Sequence, residues 1–111
     1  MSSFKRGDIV LCVDGRGDYT SKPRPVLIVQ NSDYLAGLES VTICPLTSVL
    51  SVASVRVRIK ANAKTGLKEP SEIETDKITT VRVVRLSAKI GEVEEKELIK
   101  VNEALRLWLD L

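Results

Sequence analysis

Histidine is absent from all 111 residues of the chain. That absence removes the Ser-His-Asp triad, the Cys-His dyad, histidine-ligated zinc and the paired-histidine scheme of pancreatic-type ribonucleases. Cysteine is scarce too: Cys12 and Cys44 form no Cys-x-x-Cys pair, so a four-cysteine metal site is excluded. Each lies inside an apolar run, where a reduced thiol acts as a small hydrophobe, and buried thiols are expected rather than a disulfide. Neither Gly-x-x-x-x-Gly-Lys-Ser/Thr nor Gly-x-Gly-x-x-Gly occurs, and no cofactor is expected. No apolar run approaches bilayer length, and the N-terminal Met-Ser-Ser-Phe-Lys-Arg-Gly-Asp lacks the apolar stretch of a signal peptide. A cytoplasmic protein without a membrane partner is expected.

What is present reads as one domain over residues 1 to 111, since no Pro/Gly/Ser-rich linker divides the chain. The formal charge of +2 hides an asymmetry: residues 1 to 68 carry ten Lys/Arg against five Asp/Glu, and the remainder seven against ten. A basic first part permits a polyanionic partner, but ordinary solvated charge gives the same count. Short runs rich in β-branched residues, separated by turn signals, predict a compact mainly-β sheet or barrel. Strands are expected near Asp8 to Val13, Pro25 to Gln30, Ser40 to Pro45, Ser54 to Ile59, Ser71 to Glu74 and Ile78 to Val84.

Between the first two strands, Asp14 to Pro23 holds two glycines, a proline and alternating charges, the makeup of an exposed loop ending beside Arg24. A second loop, Ala61 to Pro70, has Gly66 and Pro70 as breakers and reads as a surface crossing. From Val55 to Lys60 apolar residues alternate with Arg56, Arg58 and Lys60, which turns a row of three cations outward. That row is either a substrate track or the charged side of a protected strand. The period then changes: Leu98, Val101, Leu105 and Trp108 recur at helical spacing behind Glu94, Glu95 and Glu97, predicting a helix from about Glu94 to Leu109. Trp108 is expected in the core or an interface.

An enzyme built from arginine, lysine, carboxylates and hydroxyls suits cleavage of RNA, whose 2′-hydroxyl is its own nucleophile. A metal is then optional. The order of short blocks is more specific. Phe4-Lys5-Arg6-Gly7-Asp8-Ile9-Val10, Ser21-Lys22-Pro23-Arg24-Pro25-Val26-Leu27-Ile28-Val29-Gln30-Asn31, Cys44-Pro45-Leu46-Thr47-Ser48, Pro70-Ser71-Glu72-Ile73, Asp76-Lys77-Ile78 and Arg85-Leu86 follow one another along nearly the whole chain. In this order and spacing they resemble the MazF/PemK toxin family.

The resemblance implies a mainly-β fold with added α, a small SH3-like barrel of the MazF, CcdB and Kid type with a C-terminal α-helix. It also implies a homodimeric, metal-independent, sequence-specific endoribonuclease toxin. Its substrate would be single-stranded RNA, cut to 2′,3′-cyclic phosphate and 5′-hydroxyl ends, and a cognate antitoxin would neutralise it. By motif, Arg24 and Thr47 correspond to the catalytic pair. Arg24 can present a bidentate fork to the scissile phosphate and Thr47 a hydroxyl donor to a non-bridging oxygen. A guanidinium is hard to deprotonate, so charge stabilisation is the safer role for Arg24.

Tyr19, Ser21 and Lys22 correspond to the loop that closes over RNA, with Ser48, Asp76 and Lys77 as further RNA-binding positions. Each has a plainer alternative: a loop-anchoring arginine, a turn hydroxyl, a strand-end carboxylate. Thr79 stands where many relatives carry an arginine, which would leave Arg82 or Lys77 to supply that charge. A gyrase-poisoning toxin on the same fold is the rival, but its C-terminal Trp-Gly-Ile is replaced here by Trp108-Leu109-Asp110-Leu111. An RNA-binding barrel without cleavage is the third reading.

Overall fold

The computed structural model describes residues 4–13, 22–51 and 55–111. Seven strands and one helix follow in chain order. They are β1 (Asp8–Cys12), β2 (Arg24–Ile28), β3 (Ser40–Thr47), β4 (Val57–Ile59), β5 (Ser71–Ile73), β6 (Thr79–Arg82), β7 (Leu86–Glu92) and α1 (Glu95–Leu109). All strand pairs are antiparallel, in the order β4-β5-β3-β2-β1-β7, with β6 beside β3.

Strand β3 is the spine. One of its edges pairs with β2 through Ile43, Cys44 and Pro45. The other edge pairs first with β6, from Ser40 to Ile43, and then with β5, at Leu46 and Thr47. Pro45 sits where this second edge changes partner, a place where a residue without an N–H costs the ladder little. Its carbonyl is still used, accepting from the Glu74 N–H at 2.8 Å. Two register shifts between β1 and β7, flanking Val10, add to the curl, so the sheet closes into a half-barrel.

The runs Ile9-Val10, Val26-Leu27-Ile28 and Ile43-Cys44 are buried residue after residue because the sheet is covered on both faces. Ile9, Leu27, Cys44, Leu46, Ile73 and Val57 face α1, which contributes Val101 and Ala104. On the opposite face Val10, Val26, Ile28, Val41 and Ile43 form a smaller cluster under Phe4 and Leu35. Helix α1 begins with a capping box in which Glu97 accepts from the Glu94 N–H at 2.7 Å. Arg6 ties the helix to the sheet, donating to the Val29 carbonyl at 2.8 Å and to Asn102 Oδ1 at 2.6 Å. Asp8, fully buried, is held by the Lys5 N–H at 2.9 Å and by Lys89 Nζ at 3.1 Å, and this hydrogen bond raises the Lys89 pKa.

The mainly-β barrel with a terminal helix is as expected, with differences that have physical causes. Strand β7 was not expected, because Leu86-Ser87-Ala88-Lys89-Ile90-Gly91-Glu92 has one β-branched residue, Ile90, and four weak strand formers, Ala88, Lys89, Gly91 and Glu92. Of the expected strand Ser54 to Ile59, Ser54 lies outside the described residues and the remainder is regular from Val57, and the strand expected to reach Val84 gives way to a 3₁₀ turn at Val83–Arg85. Trp108 is not core: it is 50% exposed, because α1 turns its last residues past the edge of the sheet. Both cysteines are thiols outside any disulfide; Cys44 is buried, with burial pushing its thiol up to about 12, and Cys12 is half-buried.

The loop from Ala61 to Pro70 folds back on the barrel. Asn62 Oδ1 accepts from the Lys64 and Thr65 N–H groups at 3.0 and 2.9 Å, and Thr65 Oγ1 donates to the Lys60 carbonyl at 2.8 Å. Gly66, at φ +69°, completes the turn; a Cβ there would lie 1.9 Å from the Ile90 carbonyl oxygen. Gly66→Ala is therefore expected to destabilise by about 2–4 kcal/mol through left-handed strain and overpacking. In thermal melts this should lower the midpoint by roughly 10 °C; an unchanged midpoint would show that the loop is not pressed against β7.

Candidate active site

Arg24 opens β2 and Thr47 closes β3, so both candidate side chains lie at strand ends rather than in the body of the sheet. The β2–β3 register runs from Ile28 opposite Ile43 to Val26 opposite Pro45, and Arg24 and Thr47 each lie two residues beyond that last pair. Across the neighbouring ladders Cys12 stands opposite Arg24, Glu72 opposite Thr47 and Arg58 opposite Glu72. Two residues 23 positions apart in sequence thereby come to line one cleft.

Around this pair opens a cleft of about 790 Å³, lined by Lys22, Arg24, Thr47 and Ser48 on its polar side and by Leu11, Pro25, Leu46, Leu67 and Ile90 on its apolar side. Lys22, Arg24 and Ser48 are exposed and Thr47 is half-buried. Thr47 Oγ1 accepts from the Val49 N–H at 3.1 Å, so one lone pair of the hydroxyl is taken and its proton is left to donate. A guanidinium fork beside a hydroxyl donor, on an apolar floor, is an arrangement for an anionic oxygen pair flanked by a flat, weakly polar group.

The other expected positions divide. Tyr19 and Ser21 lie outside the described residues. Asp76 and Lys77 do not line the cleft. Asp76 accepts both Arg56 Nε and Nη2, at 2.9 and 3.1 Å, and Lys77 Nζ lies 3.4 Å from Glu74. Of the outward row of three cations, Arg58 and Lys60 are exposed as expected and Arg56 is not. Arg56 has only 15% of its side chain exposed and reaches Glu74 at 3.3 Å and Glu72 at 3.7 Å, while Arg58, with its side chain 63% exposed, pairs with Glu72 at 3.4 Å. The carboxylates of β5 and the following turn cover the Arg56 end of that face. Thr79 and Arg82 lie exposed on β6, which pairs with the opposite end of β3.

Two cleft residues were missed. Lys68 and Glu69 enter it because the Asn62 turn and Gly66 carry their loop back to the barrel, and Ser71 Oγ fixes the Glu69 carbonyl at 2.9 Å. The spacing of Asn62, Thr65 and Gly66 was the available signal for a folded rather than an open crossing.

A half-barrel whose strand ends converge an arginine and a threonine over a cleft defines a class, and sequence comparison agrees with it. Residues 5–109 match the family of PemK-like, MazF-like toxins of type II toxin-antitoxin systems, and the chain belongs to that family. It is 38% identical over 109 residues to the probable endoribonuclease MazF of Mycolicibacterium smegmatis, covering 97% of this chain and 98% of that one. With the endoribonuclease EndoA of Bacillus subtilis it shares 28% over 110 residues, 96% and 95% of the two chains. Among solved structures, a mycobacterial endoribonuclease in complex with its cognate antitoxin superposes with a TM-score of 0.82 at 26% identity, covering 98% and 97%. The Mycobacterium tuberculosis toxin MazF-mt6 gives 0.81 at 27%, covering 94% and 97%.

The Arg56 hydrogen bonds hold the Asp76 carboxyl below its ordinary value. A carboxylate depressed on folding contributes stability that is complete above its unfolded pKa, about 3.9, and is lost as pH falls through the folded value. The urea midpoint should therefore drop below about pH 4. Asp76→Asn should lower the midpoint at neutral pH and make the acid decline shallower. An identical decline in both proteins would show that the Arg56 pair adds nothing.

Proposed function

We propose that this chain is an endoribonuclease toxin that cleaves single-stranded RNA by attack of the substrate's own 2′-hydroxyl, with Arg24 and Thr47 as catalytic residues. The observation that carries the reading is the single cleft that Arg24, at the start of β2, and Thr47, at the end of β3, both line. Arg24 binds two oxygens of the scissile phosphate and neutralises the charge that grows on them. Thr47 donates its free proton to a non-bridging oxygen, its other side already engaged by Val49. The bond from the 2′-oxygen to phosphorus forms as the bond to the 5′-oxygen breaks, leaving a 2′,3′-cyclic phosphate and a 5′-hydroxyl. The proton leaving the 2′-hydroxyl is matched by one delivered to the 5′-oxygen.

Lys22 and Ser48 hold the flanking backbone, and the apolar side of the cleft receives a base, with Tyr19 and Ser21 from the preceding loop completing recognition of a short sequence. Lys77, with its side chain 61% exposed, contacts phosphate outside the cleft, and Asp76 acts there through Arg56. The reaction needs no metal. The toxin works in the cytoplasm as a homodimer, which the exposed Leu107, Trp108 and Leu111 at the end of α1 support, and a cognate antitoxin covers the cleft.

Purified protein is expected to cut a long unstructured RNA in the presence of EDTA. Removing the arginine in Arg24→Ala should lower kcat by at least about 10³-fold, the scale of a transition-state arginine. Thr47→Val, which keeps the shape and deletes one donor, should cost about 10²–10³-fold. Full activity in Arg24→Ala, or cleavage that stops when EDTA is added, would refute the assignment.

A further inference from the structure

We propose that Glu72 is a positioning residue for the nuclease, its buried carboxylate fixing the turn from Thr47 to Ser51 so that the Thr47 hydroxyl proton points at the substrate. The inference rests on the function proposed above. Glu72 is 1% exposed and lies directly opposite Thr47 across the β3–β5 pair. Its partners converge on the turn that follows Thr47. The Ser51 N–H donates to Oε2 at 3.0 Å and Ser51 Oγ to Oε1 at 3.1 Å. Arg58 Nε donates to the same carboxylate at 3.4 Å while its Nη2 donates to the Ser51 carbonyl at 3.1 Å. Ser51 is thereby gripped at both its N–H and its carbonyl.

Burial of a carboxylate is costly, and a buried ion pair often does no better for stability than apolar residues of the same volume. What such a group fixes well is geometry. Between the Glu72 clamp at Ser51 and the strand end at Thr47 lie only Ser48, Val49 and Leu50, all exposed. With the far end of this turn held, the Val49 N–H stays on Thr47 Oγ1. A turn released at Ser51 withdraws that N–H, and the hydroxyl is then free to rotate its proton away from the phosphate. Arg56, 3.7 Å from Glu72 and bound bidentately to Asp76, extends the clamp, which gives Asp76 a part in the site without lining it.

The test is a double-mutant cycle on kcat and KM with a defined RNA oligonucleotide, folding being checked by urea titration. Glu72→Ala should lower kcat by about 10²-fold, the scale of an ångström misplacement, with KM little changed. Glu72→Gln, which keeps one acceptor and the shape, should lose less, and Ser51→Ala less again. In a Thr47→Ala background each of these should cost far less than in the wild type, because the group they aim is gone. Folded variants with wild-type kcat would overturn the proposal, as would losses of equal size in both backgrounds. If Glu72→Ala does not fold, Glu72→Gln and Ser51→Ala decide by the same criterion. A wild-type protein that leaves RNA uncut removes the nuclease reading and this inference with it, whereas an active wild type with active Glu72 variants removes only the inference.

Discussion

The site depends on how β2 and β3 pair. Antiparallel strands bring residues far apart in sequence to within a few ångströms only if the register is right, and a slip of one residue moves every side chain to the other face. Here the register is fixed from both sides. Leu27 and Cys44 must face α1 while Val26, Ile28 and Ile43 face the second cluster, and a slip would exchange both sets at once. Burial of the sheet on both faces therefore fixes which ends of β2 and β3 meet at the cleft that Arg24 and Thr47 line.

Charge is organised on the same principle. The chain is close to neutral overall, yet a polyanion must approach Arg24. The acidic residues following β4 would oppose that approach if they stood free, but Glu72, Glu74 and Asp76 are spent on Arg56 and Arg58. Hydrogen bonds from Ser51 and the two arginines hold Glu72 and Asp76 below the usual carboxylate range, so they stay ionised and paired. Among the described residues, the cations lining the cleft, Lys22, Arg24 and Lys68, thus face one carboxylate there, Glu69, rather than four. Local neutralisation lets a nearly neutral protein keep a basic cleft.

Much of this was legible in the sequence, and the rest was not for definable reasons. The β-branched runs marked β1, β2, β3 and β5, and the acidic start and apolar stripe marked α1 to within a residue of its ends. Arg24 and Thr47 were readable only through the motif blocks, since composition makes each an ordinary loop or turn residue. Strand β7 escaped because its strand character comes from pairing with β1, not from its residues. The row of Arg56, Arg58 and Lys60 held as an alternation and as an exposed face at Arg58 and Lys60, but not at Arg56: period two assigns residues to a face and is silent on what covers it. Lys68 and Glu69 were hidden because a polar loop reads the same whether it stands open or is folded back by an Asn62 turn.

The missing histidine bears on control as well as on chemistry. Histidine is the side chain whose ordinary pKa lies in the physiological range, so a site without it has no ready protonation switch between about pH 5 and 8. Without such a switch, restraint falls to a partner rather than to pH. That requirement agrees with a family defined by toxins held in toxin-antitoxin pairs. A strand-end site serves it well: Arg24, Ser48 and Val49 are exposed at the rim, where a peptide and an RNA strand would compete for the same guanidinium.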